Sequence, residues 1–296
     1  MFKSGFISII GRPNAGKSTL FNTIIGDKIS IITDKPQTTR NKITGIRNFP
    51  NAQLIFLDTP GMHKPKTAMN RAMVQTTRET INSVDVLLML IEANTDVHPH
   101  DLFLIESLLQ VKTPVFLVIN KIDLIEKKIL LPLIDKFRNL YDYREIFPIS
   151  ALKGEGIDDL LNALIASLPE GPKYYPDDII TDATERFIAA EFIREKITLF
   201  TKQEVPYSTA VEVDLFKEDD EKNLILINAT INVEKDSQKA IMIGKKGTML
   251  KKIGTHSRLE MEKLFGAKVY LELFVKVKKE WTSSDKMLEE FGLLKR

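Results

Sequence analysis

Cysteine is absent from all 296 residues, which removes disulfides, zinc–thiolate sites and thiol nucleophiles and fits a reducing compartment. Histidine occurs only four times, at scattered positions, so an imidazole-based metal centre is not expected. Long apolar stretches are also missing. The longest, Val86 to Ile91, falls far short of the roughly 18 residues that a membrane span requires. The opening residues show nothing of a secretory leader, so a cytoplasmic location is expected. Charge of one sign is scarce too: the net value is +2, which by itself indicates no polyanionic partner.

What is present is an ordinary globular composition, 43% hydrophobic and 28% charged, in a chain long enough for two domains. In the first half, short β-branched apolar runs (5–10, 43–48, 53–58, 84–92, 114–120 and 144–149) alternate with helical patterns near 17–26, 67–82, 100–111, 126–140 and 155–168. That alternation predicts a mostly parallel sheet with helices on both faces. From Pro169 to Asp178 there are three prolines and one glycine, a composition suited to a linker. Beyond it a helix, two strands around the acidic turn 217–222, a short helix ending near Ile243, a longer helix and a strand at 268–277 predict α-β-β-α-α-β order. The expected domains are therefore 1–170, a linker at 171–181, and an α+β unit at 182–296.

Gly11-Arg12-Pro13-Asn14-Ala15-Gly16-Lys17-Ser18-Thr19 follows the first strand and opens a helix, the context that a phosphate-binding loop needs. Its amides and the helix N-terminus would cradle phosphate oxygens, with Lys17 at the β and γ phosphates and the Ser18 hydroxyl on Mg²⁺. Asp58-Thr59-Pro60-Gly61 ends another strand; Asp58 is expected to act on Mg²⁺ through water, and Gly61 to offer its amide to the γ-phosphate. Asn120-Lys121-Ile122-Asp123 supplies base choice. The Asp123 carboxylate can accept from the ring N–H and the exocyclic amine of guanine together, and the Lys121 stem can cover the purine. Ser150-Ala151-Leu152 follows the sixth strand and can present an amide to the guanine oxygen. Four such motifs at strand ends indicate a P-loop NTPase domain of the Ras-like kind, selective for GTP and GDP over adenine nucleotides.

The loop Asp34-Lys35-Pro36-Gln37-Thr38-Thr39-Arg40 reads as a switch in which Thr39, or else Thr38, closes on Mg²⁺ in the triphosphate state. Met62 follows Gly61 and cannot orient water by a side-chain hydrogen bond, so slow intrinsic hydrolysis is expected. Catalysis would rest on positioning by Lys17, Thr39 and Gly61. Two readings of Asn14 stand: a ligand for a charge-stabilising monovalent cation, or a turn-forming residue.

These motifs, with Gln37-Thr38-Thr39-Arg40 in the switch and Met62 at the place of the usual glutamine, resemble the translation-factor-related GTPases, and the whole chain resembles the Era family: a GTPase domain followed by a type II KH domain. That resemblance implies binding of 16S ribosomal RNA near its 3′ end, assistance to 30S subunit assembly, potassium stimulation through Asn14 and peripheral association with the inner membrane face. A monomer is expected.

The second half is electrically polarised. Between Lys235 and Lys279 stand twelve Lys or Arg against four acids, an excess of +8, while 177–221 leans acidic. Gly244-Lys245-Lys246-Gly247 between two helices is a GXXG loop, where glycines admit a sugar-phosphate backbone and lysines attract it. Lys251, Lys252 and Arg258 extend the positive surface, and Ile241, Ile243, Met249 and Ile253 are either groove walls or ordinary core. Trp281 is expected to pack, with Lys276, Lys278 and Lys279 facing RNA or acidic lipid. A competing function is a nucleotide-sensing RNA chaperone or scaffold whose hydrolysis is incidental. A GTPase serving RNA modification is less favoured.

Overall fold

The computed structural model describes every residue except 37, 62–66, 95 and 295–296. Chain contacts divide it into two units, residues 1–30, 39–65 and 73–182 against residues 31–38, 66–72 and 183–296.

The first unit is built on six strands, β1 (Lys3–Gly11), β2 (Ile43–Phe49), β3 (Ala52–Asp58), β4 (Val86–Glu92), β5 (Val115–Asn120) and β6 (Glu145–Pro148), in the order β2-β3-β1-β4-β5-β6. Only β2 runs antiparallel to its neighbour. Parallel strands covered on both faces carry unbroken apolar runs rather than alternation, and Leu54–Leu57, Val86–Ile91 and Val115–Ile119 are buried throughout. Helices α1 (Lys17–Ile25), α2 (Ala68–Ile81), α3 (Pro99–Leu108) and α4 (Lys127–Arg138) lie between them in sequence, and α5 (Ile157–Ser167) follows β6. One core layer joins Leu87, Met89, Ile91, Leu117 and Ile119 to Leu104, Leu108, Leu133 and Phe137.

Because β1 lies between β3 and β4, the chain leaves its carboxyl end where the connections diverge, the crevice in which open α/β sheets hold ligands. Register places Ile9 beside Asp58, Gly11 beside Leu90, and Glu92 beside Asn120, so the motif residues emerge along one edge.

Residues 171–181, expected to form a linker, are laid along this unit. The Gln53 side-chain oxygen accepts from the amides of Tyr174 and Tyr175, Ile46 N–H donates to the Ile180 carbonyl, and Thr181 Oγ1 donates to the Thr44 carbonyl. The prolines that exclude helix or central strand leave an extended segment whose backbone is satisfied by side chains and by β2.

The second unit has a three-stranded sheet, β7 (Thr209–Asp219), β8 (Leu224–Val233) and β9 (Lys268–Val277), with α6 (Glu185–Phe200), α7 (Asp236–Ile243) and α8 (Thr248–Phe265). β7 and β8 form the hairpin around the acidic turn, and β9 joins β8 in parallel. Thr184 caps α6 by accepting from the Phe187 amide. A further helix, α9 (Asp285–Glu290), was not expected from the sequence. Trp281 is fully buried, donates from Nε1 to the Ser208 carbonyl at 3.1 Å and meets the Phe291 ring edge-on, so it packs rather than stacking a base.

Candidate functional site

The loop from Gly11 to Lys17 turns through two left-handed residues, Asn14 at φ 66° and Gly16 at φ 98°, before α1 begins. The Gly16 conformation is one that side chains resist, and a β-carbon there would also lie 2.3 Å from Nδ2 of Asn120. Lys17 is buried and donates from Nζ to the carbonyls of Gly11 and Arg12, both at 3.1 Å, so its ammonium is held inside the loop. Burial lowers its pKa from the usual 10.5 to about 8, with Asp58 opposing that shift and Arg12 adding to it. Gly61 flanks this ammonium: a β-carbon on it would stand 3.4 Å from Nζ.

Asp58 is fully buried at the end of β3. Its Oδ2 accepts from Ser30 Oγ at 2.7 Å, Ser18 Oγ at 2.9 Å and Thr39 Oγ1 at 3.3 Å, and the Ser18 and Thr39 hydroxyls lie 3.1 Å apart. Desolvation raises the Asp58 pKa against the pull of these hydroxyls and of Lys17. Its other oxygen, Oδ1, is buried without a hydrogen-bond partner. Such an orphan is costly unless something satisfies it. An all-oxygen set of two hydroxyls and a carboxylate suits hard, oxygen-seeking Mg²⁺.

Of the two switch threonines, the structure brings Thr39 to Ser18 and Asp58. Thr38 instead donates to the Lys35 carbonyl and pairs with Thr33 Oγ1 at 2.6 Å. Ser30 went unnoticed in the sequence. It reaches Asp58 because the Asn22 side chain clasps its backbone from both sides, accepting from Ser30 N–H and donating to Ser30 O, a contact eight residues apart that no periodicity signals.

At the other end of the cradle, Asn120 donates from Nδ2 to the Ala15 carbonyl at 2.8 Å and accepts at Oδ1 from the Ala151 amide at 2.9 Å. One amide thus ties the phosphate loop, the base loop and the loop after β6. Asp123 accepts from Ser150 Oγ at 2.7 Å, which leaves carboxylate lone pairs for a base. Lys121 stands at φ 67° and is followed by a short 3₁₀ turn that includes Ile122. Thr59 Oγ1 donates to the Ile9 carbonyl, and the Pro60 carbonyl accepts from Thr77 Oγ1, so these two residues brace the strand end. Leu152 is largely exposed beyond Ala151, and Met62 lies outside the described residues.

In the second unit, Gly244 at φ 72° and ψ 175° ends α7, and a β-carbon there would crowd Met249 at 2.8 Å. Lys246 and Gly247 are left-handed, at φ 53° and 78°, so the turn is tight and both lysines are exposed. Beside it runs an open groove of about 380 Å³ walled by Leu250, Lys251, Gly254 and Arg258 of α8 and by Leu271 and Leu273 of β9. Ile241, Ile243, Met249 and Ile253, weighed from sequence as either walls or core, do not line this cavity. Ile253 is fully buried core and Ile241 is on the surface. Leu250 and Gly254 share a helical face, and Leu271 and Leu273 alternate on a strand, a signal present in the sequence but shared by any core face. Lys252 points elsewhere, its ammonium 4.1 Å from the Phe200 ring centroid. Lys278 pairs with Glu212 and lies over Phe291. Arg258 lines the groove while bonded to Glu262 at 2.7 Å.

Residues 31–38, the loop that leads to Thr39, belong to this second unit by their contacts. Ile32 N–H donates to Glu195 at 2.9 Å, Arg194 donates to the Thr38 carbonyl at 2.6 Å, and Lys35 donates to the carbonyls of Thr198 and Thr201.

A family model described as 50S ribosome-binding GTPase matches residues 6–121, and one described as KH domain matches 204–282. GTPase Era of Syntrophus aciditrophicus is 62% identical over 292 residues, covering 99% of this chain and 95% of that protein. GTPase Era of Geobacter metallireducens is 55% identical over 291 residues, covering 98% of each. Among solved structures, Era in complex with MgGDPNP and nucleotides 1506–1542 of 16S ribosomal RNA superposes with a TM-score of 0.95 at 42% identity, covering both chains completely. A variant of Aquifex aeolicus Era bound to GDP and AlF4⁻ gives the same TM-score and identity over 99% of this chain and 100% of that one.

Proposed function

This chain belongs to the GTPase Era family, and from that premise we propose that its GTP cycle controls the binding of a 16S ribosomal RNA 3′ segment in the GXXG groove, in service of 30S subunit assembly. The observation that carries the proposal is the grouping of residues 31–38 with the RNA-binding unit, one residue short of Thr39, which lies against Ser18 and Asp58. A loop hydrogen-bonded to α6 at Ile32, Lys35 and Thr38 would have to break or remake those bonds to rearrange around a γ-phosphate. The 50S description belongs to a model spanning the nucleotide half alone, whereas the relative solved with 16S RNA matches end to end.

In hydrolysis, the chain's own groups position rather than exchange protons. Lys17 holds the transferred phosphate, the Gly61 and loop amides take up charge that develops on its oxygens, and Asn120 with Asp123 fixes the guanine end. Mg²⁺ would be held by Ser18 and Thr39, with Asp58 behind them, and would supply charge neutralisation at the phosphates. Gly11, Pro13, Ala15 and Thr19 complete the phosphate cradle, and Ser150 and Ala151 the base pocket. In the groove, Gly244, Lys245, Lys246 and Gly247 receive the sugar-phosphate backbone, with Lys251 and Arg258 alongside. Potassium at Asn14, action as a monomer and peripheral association with the inner membrane face belong to the same reading.

The test is RNA affinity for a 16S 3′ oligonucleotide with GDP and with GDPNP. Tighter binding with GDPNP, and by reciprocity slower GDPNP release with RNA, is expected. Equal affinities would leave a scaffold with incidental hydrolysis. Turnover in potassium against sodium decides Asn14: equal rates return it to a turn-forming role.

A further inference from the structure

Glu92 closes β4 one residue before the chain turns away, in register with Asn120 of β5. Its two carboxylate oxygens are used by two different cations. Oε2 accepts from Arg12 Nη2 at 2.8 Å, and Oε1 lies 3.1 Å from Lys121 Nζ. Arg12 belongs to the loop that holds the phosphates, Lys121 to the loop that holds the base. Behind Arg12 stands Asp101 of α3, almost fully buried, with Oδ1 3.8 Å from Arg12 Nε; neither atom has a hydrogen-bond partner. Arg12 is thus confined between two acids, and its charge is engaged there instead of at the nucleotide.

We propose that Glu92 is a positioning residue for the nucleotide, a carboxylate on a rigid strand that sets the phosphate loop and the purine-covering lysine against each other. The inference rests on the GTP-site assignment above. Lys121 has a left-handed backbone and a four-carbon stem, so fixing its ammonium at Glu92 lays the stem along one line, where it can cover the purine face. Arg12, anchored by the same carboxylate and by Asp101, fixes the start of the cradle, since its carbonyl is one of the two that accept from Lys17. Asn120 is the backbone-directed tie between the two loops, and Glu92 adds a charged one formed by side chains alone. Partly buried, charge-assisted bonds of this kind resist salt and hold geometry better than exposed pairs.

A pair that only stabilised the fold would not make Arg12 and Lys121, each bonded to Glu92, sense one another during nucleotide binding. The test is a double-mutant cycle on the full-length protein, with affinity and dissociation rate of fluorescent GDP as readout. Arg12→Ala and Lys121→Ala should together weaken GDP binding about 5- to 10-fold less than the product of their separate effects. In an E92Q background the two effects should multiply. E92Q alone should release GDP about tenfold faster, the loss in steady-state hydrolysis falling on KM more than on kcat. If the Arg12 and Lys121 effects multiply in the parent protein, Glu92 does not link them and the proposal fails. That parental cycle decides the matter even if E92Q does not fold, which its thermal melt would reveal.

Discussion

The Asn120 side-chain amide occupies the space that a β-carbon on Gly16 would enter, 2.3 Å from Nδ2. The phosphate loop and the base loop therefore meet at a position without a side chain, where a single added methyl group would force them apart. Gly16→Ala adds that clash to a backbone at φ 98°. Nucleotide affinity should fall by at least about 100-fold, because the Asn120 bonds to Ala15 and Ala151 are lost together. Isothermal titration with GDP measures it.

Asp123 decides the base. Asp123→Asn replaces one acceptor oxygen by a donor, opposite two guanine donors. Affinity for GDP should drop by about two to four orders of magnitude while xanthosine diphosphate, which carries an acceptor in place of the exocyclic amine, gains. Competition of the two nucleotides against a fluorescent analogue checks this. Unchanged preference would remove Asp123 from the base site.

The pH dependence of binding follows from Lys17. Its pKa of about 8 in the free protein means that the ammonium is largely intact below pH 8 and is lost above it. Phosphates attract the charged form and draw the pKa upward on binding. Affinity is thus flat in this group below pH 8 and falls as pH rises beyond it, by up to about tenfold per unit until the bound-state pKa is reached. Binding above pH 8 takes up a proton, which titration in buffers of different ionisation enthalpy detects.

Changing Lys245 and Lys246 to Asp should weaken RNA binding at least about tenfold and flatten its dependence on salt, leaving GDP binding unaltered. Lys252→Ala, whose ammonium lies over Phe200 instead of lining the groove, should cost RNA little by comparison. Filter binding across a salt series separates the two. An unchanged slope in the double variant would move RNA off the GXXG loop.

Arg194→Ala removes the donor to the Thr38 carbonyl and leaves Glu191, otherwise bonded to it twice, buried and unpaired. The GDPNP-over-GDP preference for RNA should shrink severalfold, and stability should fall by about 3 kcal/mol from the uncompensated charge. Glu191→Gln combined with Arg194→Met restores a neutral pair; if it recovers stability without the nucleotide preference, the hydrogen bond to the switch loop carries the coupling.

Much of the nucleotide site was legible because its motifs are local: each functional group sits within a few residues of a strand end, and the strands announce themselves as unbroken apolar runs such as Val115–Ile119. What escaped depends on pairs distant in sequence. Ser30 reaches Asp58 only through the Asn22 clasp, and Glu92 and Asp101 meet Arg12 only once β4 and α3 are in place. Wall and core could not be told apart for a related reason. Helical spacing makes Ile253 and Leu250 equal candidates, and only the packing of α8 on the sheet buries one and opens the other. The segment 171–181 has a linker's composition, yet Gln53, a polar residue buried in β3, gives it a place to bind.

The parallel pairing of β9 with β8 has a consequence for synthesis. The sheet of the first unit is closed by β6, well before α6 begins, but one wall of the groove is made by Leu271 and Leu273 of the last strand. In a nascent chain emerging at about 5–20 residues per second, the phosphate- and base-binding loops are therefore all synthesised before the strand that supplies this wall. The groove thus stays one-sided until synthesis of the chain has passed Leu273.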